Sequence, residues 1–223
     1  MNLKLLLEHL LSEQIDEDMD EMANYPKGFD VFTLRKLNNS WDKKAYIEKY
    51  LKPLGEGSAR AVFVADEQTA LKVAISKAGQ AQNKLEVQVY NKARNKSYTD
   101  LITNVFEYDE NFLWIESERA GPIVYAEQWS KVAGVSFYDF MDALDAYDSS
   151  DEIGRLRDGK KIVKMPMFKQ LIAMMKDYKM LISDGFHDFR NPTNWGIVKR
   201  NGKQHVVVVD YGLDKKVYNK YYK

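Results

Sequence analysis

The sequence predicts an α+β fold of two lobes, and three observations predict it. Short strands flank one long amphipathic helix between about Tyr46 and Glu118. Ala120-Gly121-Pro122 then punctuates the chain as a hinge. The remainder begins with helices and ends on a valine-rich hairpin. Strand–strand–strand–helix–strand–strand is the order of an antiparallel sheet with one inserted helix, and the later helices form a minimal second lobe. At 223 residues the chain can bury a core in one bilobal domain or two small ones. The expected boundaries are 1–45 for an N-terminal helical extension, 46–120 for the first lobe and 121–223 for the second.

Leu3, Leu6, Leu7, Leu10, Leu11 and Ile15 recur at helical spacing and predict an amphipathic helix. Its continuation, 13–21, carries six acidic residues; the plain reading is a solvated face, the sharper one a docking helix for a protein partner. Strands are expected over Tyr50 to Leu54, Ala59 to Ala65 and Thr69 to Ile75, with turns at the glycines and at Asp66-Glu67-Gln68. Lys77-Ala78-Gly79 is read as a break, followed by a helix from Gln80 to Asn95 along Leu85, Val89 and Ala93. Ile102 to Tyr108 and Phe112 to Ser117 make a further hairpin around Asp109-Glu110-Asn111.

In the second lobe, Phe137, Phe140, Met141 and Leu144 mark a helix, and a charged loop spans 148–164. Pro166 opens another helix carrying Phe168, Leu171, Ile172, Met175 and Ile182. Asn201-Gly202 is the strongest short hairpin signal and turns the run from Gly196 to Val209. The tail from Leu213 is rich in Lys and Tyr, and its tyrosines are expected to pack on the body rather than to bind nucleic acid.

Charge and cysteine narrow the chemistry. The 33 basic and 33 acidic residues cancel, so no global field favours nucleic acid or a membrane surface. No cysteine is present, which removes disulfides, thiolate metal sites and cysteine nucleophiles and suits a reducing compartment. Glu8 and His9 interrupt the apolar start where a signal peptide would continue, and no run approaches the roughly 20 apolar residues of a membrane span. A cytoplasmic protein is expected.

The chemistry-bearing motifs lie in two places. One is His187-Asp188-Phe189-Arg190-Asn191-Pro192-Thr193-Asn194-Trp195-Gly196, followed after the hairpin by Asp210-Tyr211-Gly212. An Asp can position or deprotonate a hydroxyl, while an Asn and a second Asp offer the hard oxygens that Mg²⁺ takes. The other is Gly55-Glu56-Gly57 with Lys72 and Glu86. The two glycines lie between strands, which argues against a dinucleotide fingerprint, and no Gly-Lys-Ser/Thr follows to make a Walker loop. Between strands they would let backbone N–H groups approach phosphate, although a lone Gly-x-Gly is usually structural. Lys72 alternates with Leu71 and Val73, so it faces the opposite side of the sheet from them. Glu86 flanks the Leu85–Val89 stripe and is placed to pair with Lys72.

This order of motifs resembles the protein-kinase-like fold over about 46–213, and the Asp–Asn loop with Asp-aromatic-Gly is its most specific part. Three segments are also similar to short kinase-like proteins of tailed bacteriophages. They are Gly55-Glu56-Gly57-Ser58-Ala59-Arg60-Ala61-Val62, Lys77 to Asn83, and Asp210-Tyr211-Gly212-Leu213. The resemblance implies ATP and Mg²⁺ as cofactors. Gly55, Gly57 and Ser58 would cover the phosphates, Lys72 would contact them and Glu86 would hold Lys72. Asp188 would be the hydroxyl-positioning group or base, Asn194 and Asp210 the Mg²⁺ ligands, and backbone around Glu116 to Glu118 the edge that meets adenine.

Departures matter as much. Arg60 stands where a third glycine belongs and Arg190 where the loop usually has Lys, so both are expected at phosphate. The interval from Asp188 to Asn194 is one residue long, leaving Thr193 at the usual Asn position and calling for a bulge. Only 11 residues follow Gly212, so no activation segment or peptide-docking helices are expected. The leading expectation is an ATP/Mg²⁺-dependent phosphotransferase whose acceptor is unknown (a small molecule, itself or one protein). The alternatives are a pseudokinase-type binding module, or a nucleotidyl transferase on the same fold.

Overall fold

The computed structural model describes residues 24–94, 96–149, 155–179 and 188–223, apart from the side chains of 148, 149 and 188. The expected helix along Leu3 to Ile15, the acidic run after it, His187 and Ile182 lie outside the described residues.

The first lobe is a five-stranded antiparallel sheet: β1 Lys52–Glu56, β2 Arg60–Val64, β3 Thr69–Ala74, β4 Val105–Tyr108 and β5 Trp114–Glu118, in the order β1-β2-β3-β5-β4. Register sorts its two faces. Ala61 opposes Val73, Phe63 opposes Leu71 and Val73 opposes Trp114, so these five share the rear face. Opposite-facing residues Val62, Ala70, Lys72 and Ser117 look toward the second lobe.

The rear face is not left to solvent. Helices α1 (Val31–Lys36) and α2 (Ser40–Glu48) cover it with Leu34 and Ile47, which join Phe63, Leu71, Val73 and Trp114 in one core. Full burial of Leu34 and Ile47 contributes roughly 1.5–3 kcal/mol each. Asp30 caps α1 by accepting from the Phe32 and Thr33 amides, and Asn39 caps α2 through Asp42. Buried Lys43 donates to the Leu34 carbonyl at 2.6 Å, at the end of α1. Tyr25, ahead of these helices, donates its hydroxyl to buried Glu116 on β5.

Helix α3 runs from Lys77 to Ala93, three residues earlier than the sequence suggests. Ser76 caps it by accepting from the Gly79 amide, so Lys77-Ala78-Gly79 is a first turn and not a break. Gly79 is there for space: a Cβ would collide with the Ala59 carbonyl oxygen. That oxygen also accepts from the Ile75 amide at 2.9 Å, so the turn between β1 and β2 sits directly on the start of α3.

The second lobe contains α4 (Ala126–Ala133), α5 (Phe137–Ser149), α6 (Gly159–Ile162) and α7 (Pro166–Tyr178). Periodicity had revealed α5 and α7 only; α4 and α6 are too short to show a clear period, and α6 lies inside the expected charged loop. Helix α4 buries Trp129 against Phe137, Phe140 and Trp195, an edge-to-face aromatic cluster at the centre of the larger core.

Strands β6 (Gly121–Pro122), β7 (Trp195–Arg200) and β8 (Lys203–Val208) form a second sheet in that order. Asn201 and Gly202 turn β7 into β8 with φ of 51° and 77°, the all-positive geometry of a type I′ hairpin. The tail is not irregular: α8 (Lys215–Tyr221), capped by Asp214, packs on α3 and buries Val217.

The expected hinge is itself stitched down. Gly121 pairs with Ile197 and Pro122 with Gly196. Ile102 bridges to Val208, Tyr211 donates to the Thr103 carbonyl at 2.8 Å, and the Arg200 guanidinium meets the Glu118 carboxylate. No helix among the described residues is long and apolar enough to cross a membrane.

Candidate functional site

Between the lobes lies a cavity of about 350 Å³. Its roof is the end of β1 and the turn into β2, with Leu54 and Gly55 of the strand and Gly57 and Ser58 of the turn on its lining and the Gly57 amide donating to the Arg60 carbonyl at 2.9 Å. A Cβ on Gly55 would meet nothing within 4 Å, and one on Gly57 only the Arg60 oxygen at 4.0 Å. The protein itself does not require glycine there. What the two glycines leave is bare backbone over the cavity, where a ligand can approach closely.

Four charged side chains meet at the inner end. Strand alternation brings Lys72 to the cavity face of β3, and α3 brings Glu86 beneath it, fully buried. Lys72 Nζ lies 2.6 Å from Glu86 Oε2 and donates at 2.6 Å to the Val209 carbonyl. Arg60 supplies the second cation: its guanidinium contacts Glu86 Oε1 and Asp210 Oδ1, each at 2.6 Å, and Asn83 Oδ1 at 3.3 Å. Two carboxylates and two cations thus close into a chain running from Lys72 through Glu86 and Arg60 to Asp210.

The electrostatics of the chain follow. Burial opposes charge on Arg60, but Glu86 and then Asp210 reverse that and raise its affinity for the proton. Burial likewise pushes the Asp210 carboxyl up. Arg60, then Lys72, with hydrogen bonds from Arg60 and the Gly212 amide, hold it below its ordinary value. Asp210 is therefore an ionised carboxylate, 41% exposed toward the cleft.

The floor is the loop entering β7. Asp188–Arg190 and Pro192–Asn194 are two consecutive single turns of 3₁₀ helix. The second takes up the extra residue for which a bulge was expected. Asn191 caps it by accepting from the Thr193 amide at 3.1 Å. Trp195 anchors the loop from below, donating to the Phe189 carbonyl at 2.7 Å. Thr193, Asn194 and Asp210 all line the cavity. Gly212 lets this segment reach α3, because a Cβ there would lie 2.8 Å from the Gln82 carbonyl oxygen.

Not every predicted residue arrives. The backbone of Asp188 opens the first 3₁₀ turn, but its side chain lies outside the description. Arg190, expected at phosphate, is instead tied to Asp145 and lies 3.7 Å from Asp142, both on α5, and does not line the cavity. The nearby acids of α5 outcompete the cleft for its charge. The Glu116 side chain faces the rear of the sheet, where Tyr25 holds it, so of the expected backbone edge only Ser117 and Glu118 line the cavity. The cavity wall is Ser117 to Ala120. Within it the amides of Glu118 and Arg119 already donate to the Asn104 and Gln68 carbonyls at 2.8 and 2.6 Å, and the Glu118 side chain is bound by Arg200.

Other residues line the cavity that no motif revealed. Thr103 and Ser117 are both 1% exposed, and their hydroxyls have no hydrogen-bond partner among the described residues. Gln82 and Tyr222 close the side near α8, with Gln82 Nε2 donating to the Tyr222 hydroxyl at 2.8 Å. The lysine- and tyrosine-rich composition of the tail was its only sequence signal.

Sheet order, the single helix between β3 and β4, the Lys72–Glu86 pair and the Asp210-Tyr211-Gly212 segment after the β7–β8 hairpin define a bilobal, protein-kinase-like fold. No family model and no curated protein matches the chain. Among solved structures, it is similar to the APH(2'')-IIa ternary complex with streptomycin and ATP. Identity is 16%, coverage 79% of this chain and 72% of that one, and the TM-score 0.36. It is similar to ADP-bound aminoglycoside phosphotransferase APH(2'')-Ib at 12% identity, with 78% and 71% covered and a TM-score of 0.36. A kinase domain is similar at 14% identity, with 72% of this chain and 49% of that one covered and a TM-score of 0.37. Likeness this distant leaves the chemistry of the cavity to its own residues.

Proposed function

We propose that this chain is a phosphotransferase that binds ATP with Mg²⁺ in the interlobe cavity. The observation that carries it is the Lys72–Glu86–Arg60–Asp210 chain under a glycine-lined roof. A purely structural ion-pair network has no need of a cavity beside it. Here two cations and an ionised carboxylate border one, which suits a triphosphate and its counter-ion.

The residues divide by position. Leu54, Val62 and Ala70 give an apolar wall for a base, with Ser117 to Ala120 as its polar edge. Lys72, held by Glu86, meets the phosphates, and Arg60 shares that task. Gly55, Gly57 and Ser58 cover them from above. Mg²⁺ typically takes one or two carboxylates and completes its shell with phosphate oxygens and water. Asp210 and the Asn194 amide fit that limited role, and among the described residues no cluster of three acids or histidines offers a fuller one. When bound, the ion would neutralise charge on the phosphates. Asp188 is the candidate to orient the acceptor hydroxyl. Catalysis would then be positioning and charge neutralisation.

One observation favours a second reading, a nucleotide-binding module without turnover. Arg60 already places positive charge on Asp210 Oδ1, where a metal would otherwise act. Calorimetric titration with ATP separates the two. Binding by the wild type that needs Mg²⁺, and is lost in Asp210→Ala, supports the phosphotransferase. Binding indifferent to both favours the module, and no binding under any condition removes the nucleotide from the cavity.

A further inference from the structure

The tail contributes a hydroxyl to the cavity. Tyr222 follows α8, whose Asp214 cap, buried Val217 and Tyr218 ring, stacked on Tyr222 at 6.3 Å, fix where the phenol goes. The Gln82 amide then holds its oxygen at 2.8 Å. Gln82 stands one turn before Glu86 on the same face of α3, and its carbonyl lies against Gly212. The phenolic oxygen is therefore at the phosphate end of the cavity, beside the Asp210–Gly212 segment. Ala70 and Ser117 oppose each other at the other, base-binding end.

Two other hydroxyls on the lining are too enclosed to accept a phosphoryl group. Thr103 and Ser117 are walled in at 1% exposure. Ser58 and Thr193 line the cavity too, and peptide sequencing tells them apart from Tyr222. Tyr222 is 40% exposed, so a phosphorylated side chain has room to leave.

On the reading of the cavity as an ATP site, we propose that the phosphate acceptor is the chain's own Tyr222. The phenolic oxygen attacks the terminal phosphorus, the bond from that phosphorus to the bridging oxygen breaks, and the nucleoside diphosphate leaves with that electron pair. The phenolic proton passes to solvent. The product carries a phosphate of about −1.5 to −2 charge on the tail.

The full chain is incubated with Mg²⁺ and ATP and its peptides are sequenced by mass spectrometry, with ATP affinity measured in parallel on the same wild-type protein. The expected result is one phosphate, on Tyr222, entering at a rate per chain that is independent of protein concentration. Tyr222→Phe gains none while keeping its melting temperature, and Lys72→Ala gains none, which excludes a contaminating kinase. Wild-type protein that binds ATP but leaves Tyr222 unmodified, or modifies Ser58 or Thr193, overturns the acceptor and spares the nucleotide site. A rate per chain that rises in proportion to protein concentration overturns the intramolecular geometry. Absence of ATP binding overturns both.

Discussion

Replacing Glu86 by Gln tests the ion chain on which the candidate site is built. Glu86 is fully buried and meets two cations at 2.6 Å, so solvent screens neither contact. At an effective dielectric of about 20, each close pair is worth roughly 4 kcal/mol before desolvation, or about 8 kcal/mol gross for two. Dehydrating the carboxylate offsets much of this, yet Gln inherits the opposite problem. Lys72 and Arg60, both 7% exposed, would then share only the half-exposed Asp210. Removing one partner of a buried pair costs about 3–5 kcal/mol. For a chain of this size each kcal/mol lowers the melting temperature by about 2–4 °C, so a fall of roughly 6–20 °C is expected by calorimetry or circular dichroism. A loss below about 1 kcal/mol, the value of an exposed pair, would refute the closed network and with it a preformed phosphate end.

Gly79→Ala should cost about 1–3 kcal/mol by urea unfolding and also weaken ATP binding, because the added methyl drives the roof turn off α3; a neutral result would show that the turn moves freely. Asn194→Ala should impair Mg²⁺-dependent binding more than Thr193→Ala, although both line the cavity; the opposite ranking would move the metal ligand one residue earlier. Asp210 and Asp66 both have folded values below the ordinary 3.8, Asp210 through Arg60 against the cost of burial and Asp66 through the Asn24, Gln68 and Thr69 donors. Their contribution is complete above about pH 3.8 and fades as pH falls through the lower folded values, so Asp210→Asn should flatten the acid limb of a stability–pH curve. An unchanged limb would place the acid sensitivity elsewhere.

What the chain announced and what it concealed follow one physical line. Lys72 and Glu86 were legible because strand alternation and a helical stripe each fix a side chain's direction locally. Asn201-Gly202 was legible because few residues accept two consecutive positive φ values. Arg60 was read as a phosphate contact from its place in the roof, and it does line the cavity. Its bridge from Glu86 to Asp210 joins positions 26 and 150 residues away, which no local pattern encodes. Arg190 was misread for the same reason: Asp142 and Asp145 on α5 decided its direction from a distant element. Ser76 was overlooked as a cap because the glycine three residues on looked like a break, when its role is to let α3 touch Ala59. Tyr222 needed α8, a helix of seven residues whose lysines and tyrosines show no clear apolar stripe.

The seams beside the hinge have a mechanical consequence. With Gly121 and Pro122 woven into the second sheet, and Ile102, Thr103 and Glu118 fastened to Val208, Tyr211 and Arg200, one flank of the cleft cannot slide or pull apart without breaking strand pairing and a buried bond. The other margin is tied as well, since Gln82 of α3 holds Tyr222 and α8 packs on α3, so bonds between the lobes stand on both sides of the cavity.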